Sequence, residues 1–185
     1  HRQDLLGGDR WFGEVKMARN IEIKARIGGI AEMEARAAAL ADRGPIIIEQ
    51  DDTFFACPNG RLKLRARTVD DGELIFYRRA DQSGPKESFY LLARTREPDA
   101  LREVLSLAYG TAGRVRKLRT LYWCGRTRIH LDRVEGLGDF LELEVTLAED
   151  EPPAAGEAVA RELMEKLGIR AEELIEGAYI DLLAP

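Results

Sequence analysis

Four segments of this chain alternate charged or polar residues with apolar ones at a period of two. Asn20, Glu22, Lys24 and Arg26 alternate with Ile21, Ile23, Ala25 and Ile27, and Arg61, Lys63, Arg65 and Arg67 alternate with Leu62, Leu64 and Ala66. Lys117 and Arg119 flank Leu118, and Glu142 and Glu144 flank Leu143. Successive side chains of a strand point to opposite faces, so each segment has a charged face and an apolar face. A solvated face explains any one such strand. Four together, carrying mostly cations plus a few carboxylates, predict a lumen that holds a polyanion and a divalent metal.

At 185 residues the chain fits one domain with a real core. Its formal net charge is −5, so the basic strands describe a local pocket better than a general nucleic-acid surface, and nucleic acid is not an expected partner. Cys57 and Cys124 are far apart and in no C-x-x-C motif, which argues against a disulfide framework or a thiolate zinc site. A reduced, cytoplasmic setting is expected. No apolar run approaches the roughly 20 residues that span a bilayer. Residues 1–16 read as a tag or disordered extension ahead of Met17, and residues 17–185 as one domain.

Strands are predicted near residues 20–27, 46–55, 61–68, 73–79, 86–93, 115–123, 127–134 and 140–147. Helices are predicted over 30–43, ended by Gly44-Pro45, and over 99–109, 156–167 and 171–176. Asp70-Asp71-Gly72 marks a hairpin turn. The fold class expected is α+β: an antiparallel, eight-stranded closed β-barrel with charges inside and apolar faces turned out toward helices. Periodicity alone leaves an open sheet with one wet face as the alternative.

Several short motifs carry a resemblance. They are Asn20-Ile-Glu22-Ile-Lys24, Arg61-Leu-Lys63-Leu-Arg65, Tyr77-Arg78-Arg79 and Lys117-Leu-Arg119. Leu131-Asp132-Arg133-Val134-Glu135-Gly136-Leu137-Gly138, Glu142-Leu-Glu144 and the ending Gly177-Ala-Tyr179-Ile-Asp181-Leu-Leu183 follow in order. From Met17 onward the chain resembles the CYTH superfamily, the triphosphate tunnel enzymes, which include class IV adenylate cyclases, thiamine triphosphatases and inorganic triphosphatases. The resemblance implies that the barrel is a triphosphate tunnel.

By that resemblance Lys63, Arg65, Arg78, Lys117 and Arg119 cradle phosphates, with Lys86 and Arg128 as additions. Strand parity leaves Arg78 and Arg79 both open, and the resemblance favours Arg78. Glu22, Asp132, Glu142 and Glu144 are the candidate ligands of Mg²⁺ or Mn²⁺, and Lys24 with Glu22 the catalytic pair. Arg26, Arg61 and Arg67 have the right parity but lie nearer strand ends, where a surface role fits equally. His130 shares the parity of Asp132, although a lone histidine is ordinarily packed or on the surface. Asp51 and Asp52 resemble a family position, with a turn or rim role as the alternative. Asn20 departs from the family signature, which has a carboxylate there.

The expected function is metal-dependent action on a small-molecule triphosphate, with hydrolysis of inorganic triphosphate or another short triphosphate ahead of cyclisation of ATP. The His-Phe pair that precedes the signature in some cyclases is absent; Glu14-Val15 stands there. A non-catalytic polyphosphate- or nucleotide-binding module is the alternative that Asn20 favours. A homodimer fits a barrel with exposed apolar faces.

Overall fold

A computed structural model of the chain describes residues 10–12 and 15–184. The strands are β1 (Arg10–Phe12), β2 (Val15–Arg26), β3 (Arg43–Phe55), β4 (Arg61–Thr68), β5 (Asp71–Arg79), β6 (Lys86–Thr95), β7 (Thr111–Cys124), β8 (Thr127–Val134) and β9 (Gly138–Thr146). The helices are α1 (Ile30–Leu40), α2 (Pro98–Tyr109), α3 (Pro153–Leu167) and α4 (Tyr179–Leu183). Strand order is β1-β2-β6-β5-β4-β3-β7-β8-β9, and β9 pairs back onto β2. Eight antiparallel strands therefore close on themselves, and the open-sheet alternative falls away. Asn20 shows the closure directly, facing Ser88 on β6 and Thr146 on β9.

The expectation of a loose extension lies, for residues 1–9, 13 and 14, outside the described residues. Arg10–Phe12 pairs with the start of β2, and β2 begins at Val15. Strand structure thus starts upstream of Met17.

The larger apolar cluster sits outside the barrel. Ile21 and Ile23 on β2, Ile129 and Leu131 on β8, and Leu141 and Leu143 on β9 turn outward and are fully or almost fully buried. They pack with Ile30, Met33 and Ala37 of α1 and Ala160, Leu163 and Leu167 of α3. Each such side chain contributes roughly 1.5–3 kcal/mol of transfer free energy. Gly156 lets α3 lie against the wall, because a Cβ there would come within 2.6 Å of Ile21 Cγ1.

The expected stop of α1 at Gly44-Pro45 differs from what is found. α1 ends at Leu40, and Gly44-Pro45 lies inside β3, where the β3–β7 register shifts between Arg43 and Ile46. Gly44 has φ 109°, and a Cβ would meet the Leu121 carbonyl at 2.6 Å. That position demands glycine as a strand irregularity rather than as a helix stop.

Candidate active site

Both faces of β2 are buried: Ile21, Ile23 and Ala25 outward, Asn20, Glu22 and Lys24 inward. The inward faces enclose a cavity of about 360 Å³. It is lined by Lys63 and Arg65 from β4, Arg79 from β5, Lys117 and Arg119 from β7, and Lys24 from β2. Buried charge is costly unless paired, and here carboxylates do the pairing.

Asp52 on β3 is the centre of the basic half. It is 1% exposed and accepts from Arg65 Nε and Nη2 at 2.8 Å each, Lys63 Nζ at 3.0 Å and Lys117 Nζ at 3.3 Å. Burial alone would raise its pKa, but Arg65, Lys117 and Lys63 outweigh burial and hold it well below the usual carboxylate range. The lysines respond in the opposite sense. Burial, with repulsion from Arg65 and Arg119, brings Lys117 down to about 7 against the pull of Asp52. Burial and Arg65 bring Lys63 down to about 8.

Arg119 donates through Nε and Nη2 to the two oxygens of Asp132, both at 2.7 Å. The Tyr179 hydroxyl donates to Asp132 Oδ2 at 2.8 Å. Tyr179 stacks edge-on with Phe140 at 5.0 Å between centroids and belongs to a cluster with Phe54 and Val115. The C-terminal segment thus packs into one end of the lumen, latched by Arg61 Nη2 on Asp181 at 2.6 Å.

The acidic group lies where β2, β9 and β8 run side by side. Glu22 faces Glu144 and Lys24 faces Glu142 across one ladder; Arg128 faces Glu144 and His130 faces Glu142 across the next. One ligand atom from each of His130, Glu142 and Glu144 lies within 4.8 Å of the others. Lys24 Nζ is 3.6 Å from Glu142 Oε2, Arg128 Nη2 is 2.9 Å from Glu144 Oε2, and Arg79 Nη1 is 2.6 Å from Glu22 Oε1. Burial and the neighbouring Glu142 raise the Glu22 pKa despite Arg79. Burial would raise Glu142 too, but Lys24, His130 and Arg119 hold it well below the usual range. Burial pushes the Lys24 ammonium down, and burial with Arg119 pushes the His130 imidazole down. Two carboxylates and a neutral imidazole converging in a cationic cavity fit a divalent ion.

Residues 18–179 match the CYTH domain. The chain belongs to the CYTH family. No curated protein sequence matches it. Among solved structures, the PH1012 protein of Pyrococcus horikoshii OT3 is 26% identical with a TM-score of 0.78, over 89% of this chain and 99% of that one. A “putative adenylate cyclase” of Vibrio parahaemolyticus is 15% identical with a TM-score of 0.68, over 91% of this chain and 99% of that one. Another protein of that description from Bacillus halodurans is 11% identical with a TM-score of 0.63, over 91% of this chain and 99% of that one. At those identities the last two share the fold.

In this CYTH barrel Glu22, Lys24, Lys63, Arg65, Lys117, Arg119, Arg128, Glu142 and Glu144 all line the cavity. Arg78 does not: its Nε donates to the Asn59 carbonyl at 2.9 Å on the outside, and Arg79 takes the inward position. The reason is that β5 turns Ile75 and Tyr77 into the lumen, so polarity could not set its parity. Lys86 is 1% exposed and donates to the Gln82 carbonyl at 2.8 Å, beside the cavity rather than lining it. Asp132 does not line the cavity; Arg119 holds both its oxygens, and the ligand atoms that converge are those of His130, Glu142 and Glu144. Of the strand-end arginines, Arg67 lines the cavity with Asp71 and Glu73 as partners. Arg26 donates to the Leu137 carbonyl at 3.0 Å, and Arg61 serves the latch. Asp51 pairs with Arg114 on the outer side.

Proposed function

We propose that this CYTH protein is a metal-dependent hydrolase of inorganic triphosphate or another short triphosphate. The observation that carries the reading is the single cavity in which Lys63, Arg65, Arg79, Lys117 and Arg119 face a group of carboxylates and Lys24. Closely spaced phosphates need several fixed cations, and arginine forks bind their oxygens in pairs. Glu142 and Glu144, with Glu22 opposite, would hold Mg²⁺ or Mn²⁺. That ion, when bound, neutralises phosphate charge and supports an in-line displacement.

Lys63, Arg65, Lys117 and Arg119 grip the chain of phosphates, with Asp132 positioning Arg119. Arg79 reaches the phosphates while it holds Glu22, and Arg128 holds Glu144. Water attacks the terminal phosphorus, the bond to the bridging oxygen breaks, and orthophosphate and pyrophosphate form. Lys24 Nζ orients that water and takes its proton; burial, by disfavouring the ammonium, leaves the amine neutral and able to accept it. Lys86 supports the cationic field from beside the cavity. The free cysteines Cys57 and Cys124 fit a reducing, cytoplasmic setting, and no helix among the described residues is long and apolar enough to cross a membrane.

A second reading, class IV adenylate cyclase, draws on Tyr90, Leu92, Leu121 and Trp123 in the same cavity, which offer apolar contact to an organic group. There the ribose 3′-hydroxyl of ATP attacks the α-phosphorus, loses its proton and expels pyrophosphate. Phosphorus NMR of the protein with Mg²⁺ or Mn²⁺ and either inorganic triphosphate or ATP separates the two. Orthophosphate plus pyrophosphate from triphosphate supports the hydrolase; cyclic AMP plus pyrophosphate from ATP replaces it with the cyclase. Protection against unfolding by triphosphate without any product would leave a binding module. Asn20→Glu would then be the variant to assay, because a carboxylate beside Glu22 restores the family signature.

A further inference from the structure

We propose that His130 is a nitrogen ligand of the metal, forming with Glu142 and Glu144 a mixed nitrogen and oxygen site that prefers Mn²⁺ to Mg²⁺. The inference rests on the reading of the lumen as a metal-dependent triphosphate site and specifies its ion. His130 on β8 faces Glu142 on β9 in register, and Glu144 follows on the same face. The three offer ligand atoms within 4.8 Å of one another. His130 is 3% exposed. Its Nδ1 is buried with no hydrogen-bond partner among the described residues and stands 3.6 Å from Glu142 Oε1. A buried nitrogen with no proton partner beside two carboxylates has the arrangement that a cation would complete.

Of the other acids that line the lumen, Asp52 is held by Arg65, Lys63 and Lys117, and Glu73 by Arg67. Glu22, paired with Arg79 through Oε1, faces Glu144 across the β2–β9 ladder and adds a carboxylate opposite the three. Asn20 brings no charge, so the donor set of this chain turns from carboxylates alone to carboxylates plus imidazole. Mg²⁺ keeps to oxygen ligands and to its waters, whereas imidazole suits transition ions, and Mn²⁺ also accepts carboxylate and phosphate oxygens.

The test uses the full chain with Mn²⁺ alone, carrying His1→Ala, since His1 and His130 are its two histidines. Pulsed electron paramagnetic resonance should show nitrogen modulation that shifts when the histidine is labelled with ¹⁵N. His130→Gln should abolish it and weaken Mn²⁺ binding by about tenfold or more, with a smaller change for Mg²⁺ measured by competition. If that variant does not fold, the labelled spectrum of the protein with His130 intact decides alone. An oxygen-only spectrum, absence of Mn²⁺ binding at millimolar concentration, or unchanged affinity in His130→Gln overturns the proposal. Triphosphate turnover with an oxygen-only spectrum removes the His130 ligand and leaves the hydrolase; nitrogen modulation without turnover does the reverse.

Discussion

Lys24 Nζ stands 3.6 Å from Glu142 Oε2, joining the amine proposed to act on water to a carboxylate proposed to hold the metal. The same ammonium lies 4.0 Å from the centroid of the Tyr179 ring. Glu142→Gln should therefore do two things. It should remove a metal ligand, and it should relieve Lys24 of the charge that favours its protonated form. The neutral amine is the form that accepts a proton, so the second effect favours the base, and the expected net loss of turnover, about tenfold or more, comes through the metal site. The metal titration of any residual activity should weaken as well. An unchanged Mg²⁺ or Mn²⁺ titration would sink the ligand assignment.

Arg78 and Arg79 are neighbours with opposite expectations. Arg79→Ala removes a lumen cation and leaves Glu22 buried without its 2.6 Å partner, so triphosphate affinity and stability should both fall. Breaking a buried pair from one side costs about 3–5 kcal/mol. Arg78→Ala lies outside the lumen and should stay within about 0.5 kcal/mol of the parent. Titration calorimetry with triphosphate and urea denaturation check both, and equal effects in the two variants would refute the inward placement.

Triphosphate binding should weaken as pH rises. Lys117 and Lys63 are brought down to about 7 and about 8, so each loses its charge in the free protein above those values. A polyanion among Asp52, Arg65, Arg119 and these lysines favours the charged amines, so binding near pH 8 should take up protons. Calorimetry in buffers of different ionisation enthalpy reads that uptake. Stability runs the other way. The folded lysines titrate below the unfolded value of about 10.4, so between about pH 7 and 10 the unfolded chain holds more protons. Stability from these two groups therefore rises with pH, and saturating triphosphate should flatten the rise.

Tyr179→Phe tests the end of the lumen. It deletes the hydroxyl that donates to Asp132 at 2.8 Å, a buried bond to a charged group worth about 1.5–3 kcal/mol. Arg61→Ala cuts the latch to Asp181, whose side chains are 32% and 41% exposed, and should cost about 1 kcal/mol or less. Urea denaturation of the two variants should rank them in that order.

Much of this was legible in the residues. The strict alternation on β2, β4, β7 and β9 set the facing of Glu22, Lys24, Lys63, Arg65, Lys117, Arg119, Glu142 and Glu144, because opposite faces differed sharply in polarity. β5 was ambiguous, since Ile75 and Tyr77 line the lumen and blur its polarity. Asp52 was only one of two consecutive acids; its place beneath Arg65 depends on the β3–β4 register, in which the two are direct partners. Tyr179 reaches Asp132 from 47 residues away, through a chain path that no local pattern encodes. His130 shares its parity with Asp132, but the convergence with Glu142 and Glu144 exists only once β8 and β9 are aligned.

The wall of this barrel has a consequence for recognition. With β2 hydrogen-bonded on one side to β6 and on the other to β9, the peptide groups around the lumen are largely spent on neighbouring strands. A loop that cradles phosphate can offer its amides to the ligand; a closed wall offers few. Discrimination among anions therefore falls to side chains, one rung at a time. A single substitution can retune what the tunnel accepts, while the hydrophobic layer that keeps the molecule folded lies on the far side of the same strands.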